Sequence, residues 1–96
     1  MEQMKVAFIL KDEVQFARLL AYAAEHELYA YSCIGPKSAR EECGYFISWV
    51  NRRCYCRPIK ELKEKGYYIT DDVHIYIGDR GEYELKVAIE YEYIRF

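Results

Sequence analysis

The most regular pattern in the chain lies near its carboxyl end. There Tyr83, Leu85, Val87, Ile89, Tyr91 and Tyr93 alternate with Glu84, Lys86, Ala88, Glu90 and Glu92. A period of two sends successive side chains to opposite faces, so the run predicts a long strand with one buried and one charged face. Val73, Ile75 and Ile77 alternate in the same way with His74 and Tyr76. The loop between the runs sets their register. A four-residue loop, Gly78 to Gly81, would put Ile77 opposite Glu82 and set the two apolar faces at odds. A three-residue loop, Asp79-Arg80-Gly81, instead pairs Ile77 with Tyr83 and Ile75 with Leu85. Gly81 then supplies the left-handed backbone that this loop needs.

At the amino end the period changes. "KVAFIL" (Lys5 to Leu10) is a continuous apolar run of strand length. Asp12, with Gln15 three residues on, forms a capping-box pattern, and Phe16, Leu19, Leu20 and Ala23 then recur at helical spacing. An amphipathic helix over 12–27 follows. "LYAYSCI" (Leu28 to Ile34) reads as a strand ended by Gly35-Pro36, and strand, helix and strand in this order predict a crossover between parallel neighbours. Pro58 and Gly66 bracket "IKELKEK", a short helix in which only Ile59 and Leu62 can face inward. These elements together predict a single small α+β domain. It has a mixed or antiparallel sheet, one long helix packed on it, and a carboxyl-terminal β-hairpin over 73–95.

The stretch Cys43 to Pro58, "CGYFISWVNRRCYCRP", carries two readings. Ser38 and Glu41 suggest a helical turn near 38–43, after which "YFISWV" favours a strand. The preferred arrangement is a hairpin of 45–50 with 54–57 around Asn51-Arg52-Arg53. With that three-residue turn, Tyr45, Ile47, Trp49, Tyr55 and Arg57 share one face, with Arg52 and Arg53 at the tip. If that face is outward, it is an aromatic strip bordered by guanidinium groups. A two-residue turn would instead place Ile47 and Trp49 beside Cys54 and Cys56, in the core.

Composition narrows the function. The chain has 96 residues, 52% of them hydrophobic, and eleven tyrosines, which is ample core material and argues against disorder. The net charge of −2 is unevenly spread: residues 1–36 carry −2, residues 37–65 carry +4, and residues 66–96 carry −4. A basic middle between acidic ends predicts a polar field that an acidic partner or a second copy would feel. The apolar run near the amino end is too short for a signal-peptide core or a membrane span, so a cytoplasmic protein without membrane contact is expected. Its cysteines are then expected to be reduced.

Cys33, Cys43, Cys54 and Cys56 lack the paired-knuckle spacing of structural zinc sites, which leaves a small zinc module as a weak alternative. Nothing places His26 or His74 beside a cysteine, and the chain holds no phosphate loop, nucleophile elbow or paired-carboxylate motif. The expectation is therefore no enzyme and no cofactor.

The residues point instead to stoichiometric binding of a protein or nucleoprotein complex, in the manner of virus-encoded inhibitors of host enzymes or defence complexes. Tyr45, Trp49, Arg52, Arg53, Tyr55 and Arg57 have the chemistry of interface centres. Glu82, Glu84, Glu90 and Glu92 add an acidic row that would lie along one strand face. Single-stranded nucleic acid is the alternative partner for the aromatic and basic stretch, and the isoelectric point near 5.7 weighs against it. A homodimer by strand addition at a tyrosine-rich edge is the remaining alternative.

Overall fold

The computed structural model describes residues 5–30 and 43–96. The elements are β1 (Val6–Phe8), α1 (Glu13–Glu25), β2 (Cys43–Ser48), β3 (Arg53–Pro58), α2 (Ile59–Glu64), β4 (Tyr68–Thr70), β5 (Val73–Ile77), β6 (Tyr83–Ile89) and β7 (Glu92–Arg95). They form a mixed four-stranded sheet in the order β3-β2-β1-β4 and an antiparallel three-stranded sheet in the order β5-β6-β7. The class is α+β, as the periodicities predict.

The inner faces of both sheets meet in one core. Val6, Phe8, Tyr45 and Cys54 come from the first sheet, and Val73, Ile75, Leu85 and Val87 from the second. α1 adds Leu19, Tyr22 and Ala23. The Asp12 side chain accepts from the Gln15 N–H at 2.8 Å, and the Gln15 side chain accepts from the Lys11 N–H at 2.7 Å, so the capping residues read from the sequence do start the helix. Its last turn is tied to β6. The Glu25 carboxylate accepts from the Tyr83 N–H at 2.7 Å, and His26 Nε2 lies 3.2 Å from the Tyr83 carbonyl oxygen. α2 lies on the outer face of the first sheet, where Leu62 packs over Gly44.

The register around Gly81 is as the apolar alternation requires: Ile77 pairs with Tyr83 and Ile75 with Leu85, and Gly81 has φ 79°. Two expectations are corrected and one strand is new. The terminal run is not one strand, because the chain turns at Glu90-Tyr91 and pairs Ile89 with Glu92 and Val87 with Ile94. Glu90 itself takes φ 57° there, so no glycine marks the turn. β4, within "YYIT", was not anticipated; it pairs parallel to β1. Finally, Tyr29 bridges Arg53 on β3, two strands from β1, so the chain leaving α1 is not a neighbour of β1 at that point. Residues 31–34 of the expected second strand and 38–42 of the expected helical turn lie outside the described residues.

Candidate functional site

The register of the β2–β3 hairpin decides which side chains reach solvent. Ser48 pairs with Arg53, Phe46 with Tyr55 and Tyr45 with Cys56. The chain reverses over residues 49–52, where the Arg52 N–H donates to the Trp49 carbonyl at 3.3 Å and Arg52 takes φ 53°. This has the parity of a two-residue turn, so the three-residue turn preferred from the sequence is overturned. Tyr45, Ile47, Cys54 and Cys56 face the core. Tyr45 is only 1% exposed and packs on Phe8 and Phe16, each with its ring centroid 6.1 Å away. Trp49 is half-buried, edge-on to His26 at 6.1 Å. Neither ring belongs to an outward platform.

What remains on the outer face is a different aromatic and basic set. Arg53, Tyr55 and Arg57 follow one another along β3, with Phe46 across from Tyr55 on β2. The rings of Phe46 and Tyr55 stack at 4.9 Å, and Tyr67 lies tilted against Phe46 at 4.9 Å. The cations lie over these rings. Arg57 is 5.1 Å from the Tyr55 centroid, and Arg53 is 5.8 Å from Tyr55 and 5.4 Å from Tyr29. Lys5 is 5.7 Å from Tyr67. Arg57 also has Glu61 at 3.9 Å, whereas Arg53 has no carboxylate partner among the described residues. Arg52 is turned away from this face, donating to the His26 carbonyl at 2.9 Å and lying 3.6 Å from Glu27. Sequence reading found Arg53, Tyr55 and Arg57 and missed Phe46, Tyr67, Tyr29 and Lys5. Phe46 alternates with Tyr45 and Ile47, so the three-residue turn puts it on the face away from Tyr55, and the others arrive only through tertiary pairing.

Beside this face runs a trough of about 550 Å³. Phe46, Ile47 and Trp49 line it from the hairpin, Lys5 and Val6 from the first strand, and Ile94 and Phe96 from the chain's end. The trough opens where β1 and β2 part, since only Phe8 and Tyr45 pair between them.

The acidic row does not form. Glu84 lies on β6, 3.9 Å from Arg95, while Glu82 precedes that strand. Glu90 sits in the following turn, and Glu92 lies beyond it on β7, where the reversal of direction gives it the opposite facing to Glu84. Asp72 is within 3.0 Å of His74 Nε2, and Asp71 within 3.3 Å of Lys11.

Cys43, Cys54 and Cys56 all project to the inner side of the hairpin, and Cys33 lies outside the described residues. Among the described residues no group of three or more His, Cys, Asp or Glu side chains is arranged to hold a metal ion. Burial, and secondarily the neighbouring Cys54, push the Tyr22 hydroxyl well above the usual tyrosine range. No helix among the described residues is long and apolar enough to cross a membrane. Comparison with known proteins returned no significant match to a family model, a curated protein or a solved structure.

Proposed function

We propose that this chain is a non-enzymatic binding protein that modulates or inhibits a protein or nucleoprotein partner through the outer face of its β2–β3 hairpin. The observation that carries this reading is the interleaving of Tyr29, Arg53, Tyr55 and Arg57, with guanidinium groups 5.1 to 5.8 Å from ring centroids. Such a set combines large apolar area with directional donors already held in place, so binding it costs little further ordering.

Protein is favoured over single-stranded nucleic acid by how the rings are used. Bases bind by stacking on open aromatic faces. Tyr55 is engaged by Phe46 and two arginines, and Phe46 by Tyr55 and Tyr67, so a base would have to displace contacts already made.

The test compares wild type with the double variant Arg53→Ala, Tyr55→Ala as bait in lysate of the producing cell, alongside titration with a single-stranded oligonucleotide. A defined protein retained by wild type and lost by the variant is the expected result. Oligonucleotide affinity that falls about a hundredfold between about 50 and 200 mM salt would move the assignment to nucleic acid.

A further inference from the structure

We infer that the outer edge of β7 accepts an extended segment of the partner, apolar and acidic in character, as an added strand. The inference rests on the partner-binding reading above and specifies the chemistry of what is bound.

The two edges of the three-stranded sheet are treated differently. On β5, the Gly78 N–H donates to the Glu82 carbonyl at 2.8 Å and the Ala88 N–H to the Asp72 carbonyl at 2.9 Å. Hydrogen-bonded pairs alternate along an antiparallel ladder, so Val73, Ile75 and Ile77 turn their backbone groups outward. α1 covers this edge. The Gln15 amide donates to the Val73 carbonyl at 3.5 Å, and the Arg18 guanidinium to the Ile75 carbonyl at 3.2 Å. That is how folded proteins keep an edge from recruiting another strand.

Among the described residues β7 has no such cover. The Phe96 N–H donates to the Leu85 carbonyl at 2.9 Å, which fixes Leu85–Phe96, Val87–Ile94 and Ile89–Glu92 as the hydrogen-bonded pairs. Tyr93 and Arg95 therefore direct N–H and C=O away from β6. Among the described residues no strand pairs with that side.

The trough specifies the occupant. Ile94, Arg95 and Phe96 form one wall, and Val6 and Ile47 belong to the sheet opposite, with Trp49 in the turn that follows β2. A strand laid along β7 would send every second side chain, about 7 Å apart, toward this apolar space. Among the described residues the trough's lining includes two cationic side chains, Lys5 and Arg95, and no carboxylate side chain, with Glu84 3.9 Å from Arg95 on the neighbouring strand. Apolar residues would enter the trough, and the residues between them would fall on the opposite sheet face, where Lys86 and Arg95 lie side by side and favour acidic side chains.

The experiment uses a blocked peptide of alternating isoleucine and glutamate, with an isoleucine–lysine peptide as control, added to the isotopically labelled protein. The glutamate peptide is expected to protect the Tyr93 and Arg95 amides from hydrogen exchange, and the lysine peptide is not. Arg95→Pro removes one outward N–H without removing a bond to β6, and it should weaken binding about tenfold. Arg95→Gln, which keeps the N–H, should weaken it less.

Binding that leaves the Tyr93 and Arg95 amides unprotected, or no binding of the glutamate peptide, overturns the inference. So does protection that rises with protein concentration alone, which would assign the edge to a second copy. The partner-binding reading fails separately, if Arg53→Ala with Tyr55→Ala retains every captured protein. Should Arg95→Pro fail to fold, amide protection in the wild-type protein still decides.

Discussion

The two helices among the described residues, α1 and α2, end in the same backbone motif, built from different residues. After α2, Gly66 takes φ 82° and the Tyr67 N–H reaches back to the Leu62 carbonyl at 3.0 Å. After α1, Glu27 takes φ 57° and the Leu28 N–H reaches the Ala23 carbonyl at 2.8 Å. Glycine adopts this conformation without steric cost, whereas a residue with a Cβ gives up about 1 kcal/mol. Glu27→Gly is therefore expected to raise stability by about 1 kcal/mol, less a few tenths for the exposed ion pair with Arg52. A urea titration would check this, and a loss of stability would show that the ion pair dominates.

Tyr22 is a second residue with a calculable consequence. Its ring is buried and its hydroxyl has no hydrogen-bond partner among the described residues. Tyr22→Phe should gain about 1 kcal/mol by removing an unpaired buried hydroxyl. Its pH dependence has a definite sign. The folded state holds the phenol proton above the value at which the unfolded chain releases it. Stability is thus full below about pH 10 and declines above it, by up to about 1.4 kcal/mol per pH unit from this group. Denaturation midpoints above pH 10 should fall more steeply for wild type than for Tyr22→Phe, and parallel curves would refute the assignment.

At the scale of elements, turn chemistry separates what the sequence reveals from what it hides. The β5–β6 register is legible because Gly81 occupies the left-handed position and the apolar alternation allows one pairing. The β2–β3 turn and the β6–β7 turn put Arg52 and Glu90 in that conformation, and neither residue type announces it. A misplaced turn shifts pairing by one residue, which is why Tyr45, expected outside, lies inside and Trp49 is half-buried. The seat of α2 was equally hidden. A Cβ on Gly44 would meet Leu62 Cδ1 at 2.7 Å, so the helix approaches the sheet closely only because that position carries no side chain. Gly44→Val should lift α2 and cost about 2 kcal/mol in thermal unfolding, with Gly44→Ala much milder because the Leu62 tip can move. Equal stability for Gly44→Val and wild type would show that α2 has room to shift.

At the scale of the whole molecule, the chemistry of the site was readable and its membership was not. A run holding Phe46, Arg53, Tyr55 and Arg57 announces an aromatic and basic surface whichever face it takes. Lys5, Tyr29 and Tyr67 join through the β1–β4 pairing and the bridge to β3, contacts between residues far apart in the chain that no local pattern records.

The inward facing of the hairpin's cysteines has one more consequence. Cys43 and Cys56 are half-buried and Cys54 is sealed, all on the same two strands. The molecule thus carries its own stopwatch for opening. In pulsed alkylation read by mass spectrometry, Cys43 and Cys56 should be modified through small local fluctuations, while Cys54 waits for the two sheets to separate. Equal rates at all three would mean that the hairpin peels away as one unit, taking the binding face with it.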